Sequence, residues 1–430
     1  MENSFVLHSN VISLPQKIVA GSGITAILED GTHIIDACSG LGVSCLGYTN
    51  AEISQATYEQ LQTLAYAPAS AFSNEPCEQL AENLLKEKPG GLSNAVFFNS
   101  GKQRRSKIVS RRHSYHGNTL GALAISGHEE KRAMYNDWLS DHVSFVEPCF
   151  AYRGKPADMS EREYVDSLIK QIEEEFNRLG PENVAAFIAE TVSGSTLGCV
   201  PASVGYFSAV RALCDEYGVL LVLDEVFCGM GRTGTRHAWQ QEDKFRGPDL
   251  QIISKGLGAG FIPISAVLVH EKIVKGIADT SRAVIHSQTF QCHPLACRVA
   301  LKVQTIVERD RLLQNVQERG RELGCLLRAQ VLPLKLVGDV RGRGLLWSVE
   351  FVLNKQTKQQ FPENVHFSKA VMQASLSRGL YVHGRTSRDG GLYTVQHVMV
   401  CPPFIVSQNE VIAIVERLKS AIEACIEHAV

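Results

Sequence analysis

From about residue 75 to 300 the chain alternates helix-length stretches with short runs that are apolar almost throughout, at 94–98, 185–189, 219–223 and 250–253. Runs without polar alternation mark strands buried on both faces, as in a mainly parallel sheet whose crossover helices cover both sides. Each run ends in a cluster of polar or glycine residues, and in open α/β sheets ligands sit at those carboxyl ends. The first 45 residues read differently. Their apolar runs are broken by turn residues, and the apolar run 24–28 leads into Asp30-Gly31, a hairpin signal. After about residue 305 the pattern becomes α+β, with helical periodicity over 296–330 and strand-like segments at 335–352 and 396–405. A last helix opens on the capping box Ser407…Glu410 and carries the apolar stripe Val411, Ile414, Val415, Leu418 and Ile422. The pattern therefore predicts an α/β fold. A large domain over 46–305 has a mainly parallel sheet with helices on both faces, and a smaller α+β C-terminal domain covers 306–430. The segment 1–45 joins the two and packs with the small domain.

Composition narrows the class without naming a chemistry. Lys plus Arg is 43 and Asp plus Glu is 45, a net charge of −2, so nothing in the charge favours nucleic acid or an anionic membrane as partner. No apolar run reaches the ~18 residues that span a bilayer, and the N-terminal residues lack the basic start and apolar core of a secretory signal. The 12 cysteines are scattered singly through apolar segments, with no CxxC pair and no Cys/His cluster. That usage predicts free thiols in the cytosol and no metal site.

The strongest local signal is Ser254-Lys255-Gly-Leu-Gly-Ala-Gly260, just past an apolar strand. A lysine there can form a Schiff base with an aldehyde cofactor, and the glycines let a flat ring approach the backbone. Alone, a strand-end lysine is an ordinary surface residue. What lifts it is Asp224 at the end of the preceding strand, 219–223, where a carboxylate can pair with a protonated pyridine nitrogen. Val226, two residues on, can pack against a ring face. Asp224-Glu225 also reads as a helix cap, but a cap leaves the lysine after the next strand unexplained. Arg112-His-Ser-Tyr115-His116-Gly117 offers an aromatic ring for stacking, although Tyr and His together in a loop are more often packing. Gly229-Met-Gly231-Arg-Thr-Gly234 matches a dinucleotide fingerprint in form only, because it lies outside the tight turn of a first βαβ unit.

Taken together, the run 224–234, Lys255 in its glycine-rich turn, and the order of the remaining pieces resemble the class III aminotransferases over nearly the whole chain. Asp30-Gly31, Ser39-Gly-Leu-Gly42 and Cys401-Pro-Pro403 are similar to the family's N- and C-terminal motifs. The resemblance implies pyridoxal 5'-phosphate held as a Schiff base on Lys255, with Asp224 at the ring nitrogen. It implies Tyr115 and Val226 on the ring faces, with His116 in the same stacking motif, and Glu190 as the gate glutamate. Ser100 and Gly101 fall at the phosphate end, and Thr289 would bind the phosphate of the neighbouring subunit, so a homodimer is expected. The reaction implied moves an amino group from a small-molecule donor to a ketone or aldehyde acceptor.

Two departures qualify the expectation. After Gly101 the family continues into a helix whose N-terminus receives the cofactor phosphate, and about twenty residues of it are missing here. Lys102, Arg104 and Arg105 bring positive charge to the place instead. Two residues before Cys401, where the family often has a carboxylate-clamping arginine, stands Met399. Donors whose amine is not next to a carboxylate then gain ground, unless Arg341 or Arg343 takes over. Competing readings are another reaction of the same cofactor, such as racemisation or decarboxylation, and a truncated or inactive family member that only dimerises.

Overall fold

In a computed structural model, which describes residues 15–69, 71–97, 107–282, 288–386 and 395–429, the chain forms three sheets. Strands β1 (Ile18–Ser22), β2 (Thr25–Leu28) and β3 (His33–Asp36) join the later β13 (Leu380–Tyr381) in the first. The Asp30-Gly31 hairpin is present. Gly31 has φ +83°, and Asp30 Oδ1 accepts the Thr32 N–H at 2.9 Å.

The central sheet has seven strands in the order β4-β10-β9-β8-β7-β5-β6. They are β4 (Leu92–Val96), β5 (Lys107–Arg111), β6 (Val143–Val146), β7 (Val184–Glu190), β8 (Leu220–Asp224), β9 (Leu250–Ile253) and β10 (Ala266–His270). β9, β8, β7, β5 and β6 are parallel, while β10 runs antiparallel to both β9 and β4. Three of the four apolar runs of the sequence form its buried middle, with Phe187, Ala189, Leu221, Leu223 and Ile253 fully covered, whereas the run at 94–98 falls on the edge strand β4, where Asn94 is exposed. Helices lie on both faces. Those of nine residues or more in the first part of the chain are α1 (Ala51–Thr63), α2 (Glu75–Leu85), α3 (Glu161–Leu179), α4 (Tyr206–Tyr217) and α5 (Glu271–Asp279). α3 shows why such segments become helices. Ser160 and Glu163 close a capping box at its start, and Tyr164, Val165, Leu168, Ile172 and Phe176 form its buried stripe.

One feature of the sheet was not visible in sequence. β4 and β5 are consecutive strands but stand five places apart, so the link between them must travel ~24 Å sideways at ~4.8 Å per strand. The ten peptide steps from Phe97 to Lys107 reach at most ~33–36 Å. A helical crossover ordinarily has far more chain for such a journey.

The C-terminal part carries an antiparallel sheet ordered β11 (Val337–Arg343), β12 (Leu346–Phe351), β15 (Gln396–Val400), β14 (His383–Thr386). Its helices are α6 (Pro294–Arg309), α7 (Leu312–Leu326), α8 (Phe367–Leu376) and α9 (Gln408–Ala429). The single helical stretch read over 296–330 is two helices, broken where Arg311 turns left-handed at φ +52°. At α9, Glu410 Oε2 accepts the Ser407 N–H at 2.7 Å, and Val411, Ile414, Val415, Leu418 and Ile422 are fully buried. They share one apolar cluster with Ile24, Ala37, Cys45 and Leu46 from the N-terminal segment. α7 meets the β11–β12 turn through two glycines: a Cβ on Gly320 would overlap the Gly344 carbonyl, and one on Gly324 would overlap the Trp347 ring.

Candidate active site

Parallel pairing in register, Glu190 with Asp224 and Asp224 with Ile252, sets the carboxyl ends of β7, β8 and β9 side by side. Glu190 and Asp224 are the last residues of their strands, and Lys255 follows β9 by two. Lys255 takes a left-handed backbone, φ +42°. For a residue with a Cβ this costs of order 1–3 kcal/mol, and such residues cluster at functional sites. Its Nζ lies 4.0 Å from the centroid of the Phe227 ring. Burial pulls the amine down to about 8 from its ordinary 10.5, against the nearby carboxylate of Asp224, which favours the charged form.

Asp224 is itself held at both oxygens. Oδ1 accepts the Val226 N–H at 3.0 Å, and Oδ2 lies 2.8 Å from His116 Nδ1. The loop after β5 delivers that histidine: the His116 N–H donates to Ser126 Oγ at 2.8 Å, and its Nε2 stands 3.5 Å from Ser110 Oγ. His116, grouped in sequence with the stacking tyrosine, thus turns to the Asp224 carboxylate. Tyr115 is half-buried, edge-on to His128 at 6.0 Å between centroids, with the Lys131 ammonium 5.4 Å over its ring. Glu190 Oε1 accepts the Gly194 N–H at 3.2 Å, while the buried Oε2 has no hydrogen-bond partner among the described residues. Arg111 donates to the Glu190 main-chain oxygen at 2.6 Å, not to the carboxylate. Burial raises the Glu190 carboxyl above its ordinary value, opposed by its neighbours His116 and Arg111.

Lys255, Asp224, His116, Val226 and Glu190 are therefore brought together. Thr289 stands apart on the exposed surface, its carbonyl accepting the Tyr66 hydroxyl at 3.0 Å. Ser100, Gly101, Lys102, Arg104 and Arg105 lie outside the described residues. Neither arginine suggested as a carboxylate clamp is available. Arg341 donates to the carbonyls of Gly198 (2.8 Å) and Leu197 (2.6 Å) and pairs with Asp339 and Glu350. Arg343 pairs with Glu242 at 2.7 Å. Met399 is fully buried in an apolar cluster with Val192, Cys199, Leu346 and Cys401, against which Phe227 packs. Among the described residues no group of His, Cys, Asp and Glu could hold a metal.

Three parts of the site were missed in sequence. Ser39, Gly40, Leu41 and Gly42 form four successive left-handed residues, with φ between +49° and +74°. Asp36 holds this turn by accepting the N–H groups of Cys38 (2.9 Å) and Gly40 (3.1 Å), and Ser39 Oγ donates to the Cys401 carbonyl at 2.6 Å. The available signal was an Asx residue ahead of two glycines. Glu225 lies under the site, not in it. It accepts from Thr191 Oγ1 (2.7 Å), Gln251 Nε2 and the N–H groups of Ala238 and Trp239 (each 2.8 Å), capping the short helix Ala238–Gln241. Arg232 sends Nη1 to the carbonyl of Pro402 at 2.6 Å and lies over the Phe404 ring at 4.7 Å. The glycines around it are packing glycines: a Cβ on Gly231 would meet Leu313 and Phe404, and one on Gly234 would meet Gln317. The run 229–234 packs here and, through Arg232, anchors Cys401-Pro-Pro403.

The arrangement leaves two groups that a polar ligand would satisfy, the orphaned Glu190 oxygen and a lysine amine with only a ring face against it. A carboxylate with a fixed orientation stands beside them, so the residues present fit the ring end of a pyridine-aldehyde cofactor.

Comparison with known proteins agrees. The family model described as aminotransferase class-III matches residues 8–422. An uncharacterised aminotransferase of Schizosaccharomyces pombe is 38% identical, over 99% of this chain and 96% of the relative. The taurine–pyruvate aminotransferase of Bilophila wadsworthia is 30% identical, over 95% of this chain and 92% of its own. The omega transaminase of Pseudomonas jessenii, solved in complex with PMP, superposes with a TM-score of 0.88 at 29% identity, over 96% of this chain and 93% of that one. The yeast alignment runs over 445 residues where this chain has 430, so at least 15 of its positions have no counterpart here. Fold, strand-end chemistry and similarity across nearly the full length converge: this chain belongs to the class III aminotransferases.

Proposed function

We propose that this chain is a pyridoxal-phosphate-dependent transaminase that holds its cofactor on Lys255 and acts as a homodimer on donors whose amine is not next to a carboxylate. The observation that carries it is the half-buried Lys255, its amine held down to about 8, beside the fixed carboxylate of Asp224 at adjacent strand ends. The cofactor, when bound, supplies an aldehyde and a ring that draws electron density from the substrate carbon. The protein's part follows from its residues. Lys255 is the attachment point and, once freed, the base that moves a proton; an amine held near 8 has a usable neutral fraction at cellular pH. Asp224 would face the ring nitrogen, its two oxygens fixed by the Val226 N–H and by His116. Tyr115 and Val226 would cover the ring faces, and Glu190 would offer its unpartnered oxygen to the ligand.

The donor class rests on Met399 and on arginines already engaged. Arg341, Arg343 and Arg385 each end on a carboxylate, the last on Glu130 at 3.0 Å. The wall behind Phe227 is apolar. The relatives named for taurine and for omega transamination point the same way. The homodimer is supported by the exposure of Thr289 beside Tyr66 and Phe290. A cytosolic site is supported by 12 unpaired cysteines. Among the described residues no helix is long and apolar enough to cross a membrane. The chain divides on this reading into a joining segment (1–45), a cofactor domain (46–305) and a small domain (306–430).

Borohydride reduction of the loaded protein, followed by peptide mapping, tests the attachment: the label belongs on Lys255, and a label on Lys102 overturns the assignment. Single-turnover reaction with taurine against L-alanine tests the donor class; a preference for L-alanine defeats it.

A further inference from the structure

Phe227 is placed with unusual care for a residue with no chemistry of its own. Its ring face lies 4.0 Å under Lys255 Nζ. The side chain also packs on the apolar cluster of Val192, Cys199, Leu346, Met399 and Cys401. Two glycines lie beside the ring, and at Gly42 the approach is tight. A Cβ on Gly42 would come 3.3 Å from the ring and one on Gly194 3.6 Å from it, and Gly42 has φ +74°, where side chains are disfavoured. Among the described residues Lys255 Nζ makes no ion pair within 4.0 Å, although titratable groups face it from several elements. They are Asp224 and Glu190 from the strand ends, the thiols of Cys38 and Cys401, and His383 from β14.

We propose that Phe227 is a positioning residue whose ring face holds the ammonium of Lys255 whenever that amine is free of the cofactor. The inference rests on the reading of Lys255 as the attachment lysine. A ring quadrupole attracts a desolvated cation without offering it a proton acceptor, unlike a carboxylate. The amine is thus parked in a defined place between its two jobs, attachment and proton transfer, while its proton remains available to substrate. Gly42 gives the ring room, since the 3.3 Å approach and its φ of +74° both favour glycine at the end of the turn at 39–42.

The test compares wild type, Phe227→Leu and Phe227→Tyr, each saturated with pyridoxamine phosphate so that Lys255 is free. The rate of acetylation of Lys255 by acetic anhydride, read by peptide mass spectrometry across the neutral to alkaline range, gives the midpoint of its titration. Leucine keeps the apolar bulk and removes the π face, so the midpoint should fall by about one pH unit. Tyrosine keeps the face and should leave the midpoint where it is. An unchanged midpoint in Phe227→Leu, or an equal shift in Phe227→Tyr, overturns the proposal. The same labelling with pyridoxal phosphate bound separates the two readings: if Lys255 is then as reactive as before, the attachment reading fails whatever Phe227 does.

Discussion

Lys255 carries two local costs at once, a left-handed backbone and an amine stripped of water. Its pKa of about 8 in the fold lies below the ordinary 10.5, so between those values the unfolded chain binds the extra proton and stability rises with pH. Below pH 8 the whole penalty is present. Lys255→Met should therefore raise the melting temperature of the cofactor-free protein at pH 7, with the gain shrinking as pH climbs toward 10. Calorimetry at three pH values checks it; a pH-independent gain would show that the amine is not desolvated. Asp224→Asn keeps an acceptor for the Val226 N–H but loses the charge facing His116. It should slow turnover by about a hundredfold or more with cofactor occupancy retained, as judged by visible absorbance. Both residues were legible in sequence because each closes an apolar strand and they come in chain order. The turn at 39–42 was not, since the group that fixes Ser39 is the Cys401 carbonyl, 362 residues away. His116 was seen but misdirected, as spacing alone does not say that its ring faces Asp224.

At the scale of elements, the glycines of α7 invert a general rule. Glycine to alanine inside a helix normally stabilises by ~0.5–1 kcal/mol. Gly320→Ala, however, drives a methyl into the Gly344 carbonyl at the β11–β12 turn, and overpacking of this kind costs ~1–3 kcal/mol. The net should be a loss, read as a lower urea midpoint; a higher midpoint would mean that the turn yields. The link from β4 to β5 is the other case. A Ser-Glu-Ala-type helix of about twenty residues inserted after Gly101 would supply amides for the cofactor phosphate and a relaxed crossover. Equilibrium dialysis should find tighter pyridoxal phosphate binding in the extended chain. Thermal stability should rise with it, since ligand at ~100 times its dissociation constant adds ~2.7 kcal/mol. Tight binding and brisk turnover in the present chain would show the helix to be dispensable. The strands and most helices could be read from apolar periodicity, which is local. Strand order could not, because pairing β4 with β10 depends on contacts that no local pattern encodes.

For the whole molecule, the surface that bears Thr289 is its most telling region. Phe290 is 65% exposed and Tyr66 42% exposed, an apolar area that water does not favour. Tyr66 and Phe290 touch edge to face, with centroids 6.3 Å apart. Phe290→Asp should convert a dimer to a monomer in sedimentation velocity and weaken cofactor binding in the same variant. A monomeric wild type, or a dimer indifferent to the change, would remove the basis for a shared site. The place of β4 in the sheet also has a consequence for how the protein is made. Among the described residues β4 hydrogen-bonds only to β10, with Val96 opposite Val267, so the first strand of the sheet waits for a partner about 170 residues further along. At ~5–20 residues per second a ribosome takes roughly 10–30 s over that distance. Throughout that interval an apolar strand with two open edges is attached to a growing chain, which makes this the stage at which a chaperone would matter most and at which slowing translation would help least.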